Sequence, residues 1–306
     1  MNVDPQPPQM TSSDRVASMA ELHALAARRP GAAYATMMVH VPIGGRNARL
    51  LEFTAYLAGH FQARVVGIAT SQLTQFDYSS GYVPVDLIEQ DRVELEEALQ
   101  AAETEFRAAL RGRIAVTAWR SCLTYTPSAD YVAREARCAD LVVIGALAGL
   151  QSNDPRRLDV GSLLMQAGRP ILLVPPDLDR LRLETVVIGW RDTPEARRAV
   201  AASLPLLIGA GRVILVEIAH ADELDAARAR LADVGAWLAS HGVEAGCIVE
   251  ASTGDDAAGL AEIAQTANAD LFVAGAYGHS RVREWAFGGV TRDLLLSPDR
   301  CSLLSH

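Results

Sequence analysis

Lysine is missing from this chain of 306 residues: all 28 basic side chains are arginine. The absence removes chemistry. A phosphate-binding P-loop closes on a lysine, and a Schiff-base enzyme works through a lysine amine. Cysteine is scarce as well. Cys122, Cys138, Cys247 and Cys301 include no Cys-x-x-Cys pair and no zinc-ligand spacing. They suggest no disulfide framework, and three lie in or beside apolar runs and read as small core residues. The seven histidines are scattered without metal spacing. Positive charge is in deficit, with a net charge of −9, which argues against a nucleic-acid partner and against electrostatic docking to anionic membranes. Long hydrophobic runs are lacking too: stretches such as "LVVIGALAGL" are too short to span a bilayer. The opening "MNVDPQPPQMTSSDR" shows no signal pattern. A cytoplasmic location is expected.

What remains is a regular alternation. Half of the residues are hydrophobic, enough for a sizeable core and about two ordinary domains. Residues 1–32 read as a flexible lead with one short helix near Ser13–Arg29. Continuous apolar runs then alternate with helical periodicity. The strands are "YATMMVHV", "ARVVGIATS", "RIAVTAWRS", "ADLVVIGALAG" and "RPILLVPP"; helices are expected between them, "TPSADYVAREARC" opened by a capping residue and proline. The alternation restarts at "ETVVIGW", which is followed by "TPEARRAVAASLPLLIGA" and "RVILVEIAH" and finishes in "ADLFVAGA" and "CSLLSH". Strands covered on both faces read as unbroken apolar runs in parallel sheets.

The two series are related. "ADLVVIGALAG" at 139–149 matches "ADLFVAGAYGH" at 269–279, an offset of 130 residues. Self-similarity at that period marks a duplicated domain rather than a solenoid. The fold class is therefore α/β: two tandem flavodoxin-like or Rossmann-like domains, each a five-stranded, mainly parallel sheet with helices on both faces. The expected domains are 33–176 and 184–306, divided at the charged, proline-marked "PPDLDRLRLE". The halves could join through their last strands, "ILLVP" and "SLLSH", as an internal pseudo-dimer, and a homodimer of whole chains is expected beyond that.

The chemistry-bearing stretch is "GAYGHSRVREWAFGGVTRDLL", residues 275–295. Gly275 ends a strand, which places it on the ligand-bearing rim of such a sheet. Gly288 and Gly289 precede an expected helix start, whose free N–H groups and dipole suit an anion. Thr291 adds a hydroxyl in that first turn. Glycines also serve turn geometry alone, and a lone Gly-x-x-Gly is a weak signal. The spacing says more: Gly275-x2-Gly278, nine residues, then Gly288-Gly289-Val290-Thr291. Within the nine-residue loop Arg281 and Arg283 could neutralise phosphate or merely face solvent. No nucleophile elbow and no acid–base constellation is present.

The stretch resembles the universal stress protein signature, Gly-x2-Gly-x9-Gly-(Ser/Thr). "VVIGWRDTPEARRAVAASLPLL" and the final "LLSH" extend the likeness, convincingly over 184–306 and by repeat order over 34–176. The resemblance implies an adenine-nucleotide site in the second half. Gly275 and Gly278 would line the ribose and phosphate path, with Ala274 flanking the nucleotide. Gly288, Gly289 and Val290 would offer backbone N–H groups to the phosphates, and Thr291 its hydroxyl. The implied cofactor is ATP, with or without Mg2+, in a stress-response regulator that is non-catalytic or at most weakly hydrolytic. Two positions depart from the signature. Arg191 occupies the place of the usual nucleoside-binding aspartate, leaving Asp192 beside it, and Gly289 stands where a serine or threonine is usual. The first half departs further: eleven residues separate Gly149 from Gly161, and its first strand ends without an acid. No competent site is expected there. A nucleotide-independent scaffold with an empty site is the alternative reading.

Overall fold

The computed structural model describes residues 34–73, 85–146, 157–276 and 300–306. The expected helices at Ser13–Arg29 and 289–297 lie outside them. In the first half the strands are β1 (Thr36–His40), β2 (Arg64–Gln72), β3 (Thr117–Thr124), β4 (Leu141–Gly145) and β5 (Ile171–Val174). Its helices are α1 (Ala48–Phe61), α2 (Val85–Leu110), α3 (Ser128–Glu135) and α4 (Val160–Gln166). In the second half the strands are β6 (Thr185–Gly189), β7 (Arg212–Ala219), β8 (Ala245–Ala251), β9 (Leu271–Gly275) and β10 (Cys301–Ser305). Its helices are α5 (Pro194–Leu207), α6 (Leu224–Ser240) and α7 (Asp256–Thr266).

All ten described strands form one sheet, in the order β3-β2-β1-β4-β5-β10-β9-β6-β7-β8. Each half has the doubly wound order 3-2-1-4-5, parallel throughout. The halves meet at β5 and β10, which pair antiparallel with Leu303 opposite Leu172. The last strands thus join in an internal pseudo-dimer. Helices α1, α2, α5 and α6 cover one face of the sheet and α3, α4 and α7 the other. Both core layers run unbroken through the seam: one contains Met37, Leu172 and Leu303, the other Val142, Leu173 and Leu304. Tyr34 ties the same seam on the α1 side. Its hydroxyl donates to the Ala202 carbonyl at 2.7 Å, and its ring meets Phe61 edge-on at 5.1 Å.

The duplication recurs in the hydrogen bonds. The Asp140 carboxylate accepts from the backbone N–H groups of Ala35 and Thr36 at 2.7 and 2.9 Å. Asp270 does the same for Glu184 and Thr185 at 3.0 and 2.9 Å. In each half the aspartate entering the fourth strand ties down the start of the first, satisfying two backbone donors there.

Some expectations are displaced. β3 starts at Thr117, four residues later than its apolar run, because Gly112 turns with φ +74° and Ile114 N–H still bonds the last helical carbonyl, Leu110. Thr126 does not cap α3. The N-cap is Pro127 with no side-chain bond, and the Thr126 hydroxyl pairs with Thr124 at 2.9 Å. Cys301 is buried, but Cys138 and Cys247 are exposed rather than core residues. Cys247 lies on β8, the edge strand, most of whose residues face solvent.

Candidate functional site

A doubly wound sheet leaves a crevice where the chain order reverses direction, outside the carboxyl ends of its strands. In the second half that switch point lies between β6 and β9, since β7 and β8 extend one way and β9 and β10 the other. Beyond β6, Trp190 N–H continues the ladder to the Val216 carbonyl at 2.7 Å. Arg191 and Asp192 then emerge into solvent. Thr193 ends the loop as N-cap of α5: its hydroxyl accepts from Ala196 N–H at 3.3 Å, and Pro194 takes the first helical position. The helix thus points its N-terminus at the switch point. Glu195 sits in that first turn with its carboxyl held below the ordinary range. Burial pushes it up, but hydrogen bonds from its own backbone N–H, from Thr193 and from Arg198 outweigh this.

The sequence-predicted residues are partly brought together. Asp192 stands at the crevice, but its carboxylate is engaged by Arg197 at 2.6 Å. Ala274 pairs with Gly189 and Leu304 inside the sheet and is 5% exposed. Gly275 closes β9 beneath the start of α5. A Cβ there would lie 2.4 Å from the Ala196 nitrogen and 2.7 Å from the Glu195 carbonyl carbon. Close helix–sheet packing therefore accounts for this glycine, with no ligand needed to require it. Next along the chain, Ala276 N–H bonds the Ser305 carbonyl at 2.9 Å, and the Ala276 carbonyl meets His306 Nδ1 at 3.1 Å. Arg198 Nε donates to the His306 carbonyl at 3.0 Å. Gly278, Gly288, Gly289, Val290 and Thr291 lie outside the described residues.

A cavity of about 240 Å3 opens on the same rim across β6, β7 and β8. Four carboxylates border it, those of Asp192, Glu217, Glu223 and Asp256, against the guanidinium groups of Arg191 and Arg230. Glu217 is 4% exposed, and a buried carboxylate requires a partner. Arg230 supplies it with Nε at 3.1 Å and Nη2 at 2.5 Å, a bond that also raises the arginine's own pKa. Ser252 donates to Asp256 at 2.5 Å. This rim carries more carboxylates than guanidinium groups, four against two. It suits hydroxyl and amino groups, such as a sugar or a base edge, better than phosphate oxygens. Sequence reading missed Glu217, Arg230, Ser252 and Asp256. One signal was available: a single acid inside the apolar strand "RVILVEIA".

The first half is built differently. The side chain closing its first strand is His40, 5% exposed, where burial alone drives the imidazole pKa down to about 4. Gly161 is the second residue of α4, and the Asp159 carboxylate caps that helix, accepting from Ser162 N–H at 3.2 Å and from its hydroxyl at 2.6 Å. A carboxylate already occupies the position an anion would take at a helix N-terminus. Among the described residues no group of His, Cys, Asp or Glu could hold a metal ion, and no helix is long and apolar enough to cross a membrane.

No sequence-family model matches the chain, and no curated relative does. Solved structures do. A universal stress protein from Archaeoglobus fulgidus aligns with a TM-score of 0.63 at 12% identity, over 88% of this chain and 97% of its own. A universal stress protein from Pseudomonas aeruginosa aligns at 0.58 and 14% identity, over 89% and 93%. A P. aeruginosa protein of unknown function aligns at 0.53 and 14% identity, over 88% and 92%. The fold, both halves included, is similar to that of these proteins.

Proposed function

We propose that the chain is a universal-stress-protein-type regulator that binds one adenine nucleotide in its second half and does no chemistry on it beyond slow hydrolysis. Two domains, 33–176 and 184–306, would make up the protein, the first as a packing partner without a site. The observation that carries the reading is that the glycine motif begins at the switch point: the strand ending in Gly275 is β9, which flanks the crevice beside β6. The acid-rich cavity at Asp192, Glu217 and Asp256 would take the ribose and base. The phosphates would extend toward Gly278 and the amides of Gly288, Gly289 and Val290, with the Thr291 hydroxyl as a further donor and Mg2+ optional. A cytoplasmic homodimer answering stress completes the proposal.

Heat denaturation of protein purified without added ligand, followed by chromatography of the supernatant, is expected to release ATP or ADP. Gly288→Asp, which sets a carboxylate among the phosphate-binding amides, is expected to abolish the release. Nucleotide-free protein that shows no thermal shift in millimolar ATP would sink the reading.

Two observations favour a second reading, a nucleotide-independent scaffold. Asp192 is bound to Arg197, and the close contact at Gly275 is with α5 rather than with an open floor. On that reading, partners captured by the protein are unchanged by ATP or by Gly288→Asp.

A further inference from the structure

The α3 face of the first half gathers positive charge, in a chain whose net charge is −9. Glu135 of α3 is 7% exposed and holds two guanidinium groups, those of Arg120 on β3 and of Arg137. Arg120 also donates to the Glu135 carbonyl at 3.3 Å, and Arg137 to the Arg134 carbonyl at 2.7 Å. Arg169 joins from before β5, donating to the Arg137 carbonyl at 2.9 Å. Arg134 is exposed, and its guanidinium has no partner among the described residues. Asp130, one turn before Arg134, is not paired with it. Four arginines thus stand against two acids.

The repeat shows that packing does not require this arrangement. Ile68 and Val216 are equivalents, since each accepts the N–H of the residue that follows the first strand of its half. Their neighbours in register are Arg120 and Ile248. Counted from the helix N-caps, Pro127 and Asp255, Tyr131 corresponds to Gly259, Arg134 to Glu262 and Glu135 to Ile263. The second half fills the place with Ile248 and Ile263 packed on the core, and apolar residues serve stability as well as a buried ion pair does. Tyr131 is the second departure. It lies on the same helix face as Arg134 and Glu135 and is 6% exposed. Its hydroxyl has no hydrogen-bond partner among the described residues, yet it is not sealed from the surface. Burial raises the phenol's pKa, Glu135 and Cys122 raise it further, and Arg120 and Arg134 oppose them. Both guanidinium charges therefore reach the position of the free hydroxyl. Burial likewise raises the half-buried Cys122 thiol on this face of β3, and Arg134 again opposes it.

We propose that Arg120, Arg134 and the Tyr131 hydroxyl form an anion site between β3 and α3, for the dianionic phosphoryl group of a phosphomonoester or of free phosphate. The hydroxyl donates to one oxygen and the Arg134 guanidinium to another. Arg120, whose Nη1 is engaged by Glu135, offers its remaining N–H groups to a third. Glu135 is a positioning residue that holds Arg120 in place. Two guanidinium groups and a hydroxyl suit the charge and the several acceptors of a phosphoryl group better than a single carboxylate. The site is independent of nucleotide on the rim of the second half.

The full chain labelled with 13Cζ-tyrosine gives a signal for each of its seven tyrosines, and Tyr131→Phe identifies that of Tyr131 by its loss. At constant ionic strength inorganic phosphate is expected to move the Tyr131 signal saturably, and chloride is expected to leave it in place. Phosphoserine separates the two sources: tighter binding than phosphate assigns the site to an esterified ligand, and weaker binding to free phosphate. Arg134→Glu, which copies Glu262 of the second half, is expected to abolish the shift. Arg120→Ile together with Glu135→Ile copies Ile248 and Ile263. It is expected to weaken phosphate binding at least about tenfold, the ratio for one lost hydrogen bond to a charged group, while the urea midpoint stays at or above that of the parent chain. Tyr131→Phe is expected to cost a similar factor, read from the thermal shift with phosphate. The proposal falls if neither phosphate nor phosphoserine gives a saturable shift, or if chloride gives the same one. It also falls if Arg134→Glu or the double isoleucine variant binds phosphate as the parent chain does.

Discussion

Gly275→Ala separates a packing role from a ligand role, because the fold supplies its own control. The Cβ added at Gly275 would sit 2.4, 2.7 and 2.9 Å from three backbone atoms of Glu195 and Ala196. Ordinary carbon contacts lie near 3.5–4 Å, so helix α5 has to retreat by about 1 Å. It cannot do so freely: Thr193 caps it, and its buried face, Ala196, Ala199 and Val200, is locked into the core. Overpacking costs about 1–3 kcal/mol, and a clash with backbone rather than a flexible side chain belongs at the upper end, about 3 kcal/mol. Gly145 is the repeat-equivalent position, 130 residues earlier. There the added Cβ meets only Leu50 Cδ2, at 3.5 Å, an ordinary contact. Gly145→Ala is expected to be neutral or to stabilise by up to about 0.5–1 kcal/mol, through the unfolded chain. Urea denaturation without nucleotide measures both. With an m-value near 3 kcal/mol/M, the midpoints of the two variants differ by about 1 M. Equal midpoints, within about 0.5 kcal/mol, would refute the packing argument and return Gly275 to the ligand.

Leu303 and Leu172 face each other across the seam, both fully buried. Either one changed to Ala is expected to cost about 2–5 kcal/mol, and a double-mutant cycle is expected to show coupling above about 0.5 kcal/mol. His40 has its pKa lowered to about 4 by burial, against about 6.5 when unfolded. The folded state therefore binds fewer protons between these values, and the stabilisation from a neutral buried imidazole is complete above pH 6.5. It is lost as pH falls toward 4, by about 3 kcal/mol in all, and a pH series of denaturation midpoints is expected to flatten in His40→Met. Burial raises the pKa of the Cys301 thiol, whereas Cys138 and Cys247 are exposed. A thiol reagent is expected to label the latter two in native protein and Cys301 only after unfolding.

Much of the architecture could be read from local pattern, because its causes are local. Parallel strands covered on both faces announce themselves as "LVVIG" and "TVVIG". The Thr193–Pro194 pair fixes the start of α5 within one turn. The displaced start of β3 came from a φ-positive glycine that apolar runs do not reveal. The site was less legible, because its contacts cross the chain. Nothing near Gly275 in sequence says that α5, eighty residues earlier, rests on it. Arg191 and Asp192 could be placed on the rim from strand alignment, but the capture of Asp192 by Arg197 depends on where one helix side chain points. Glu217 and Arg230 meet only because β7 and α6 pack together.

The antiparallel joint at β5 and β10 has a geometric corollary. Because every strand of one half runs against every strand of the other, the two switch points open toward opposite poles of the molecule. A small ligand lodged at one pole cannot touch the other. Whatever the glycine-bearing pole holds, the pole of His40 and Asp159 stays a separate surface, able to meet a different neighbour at the same moment.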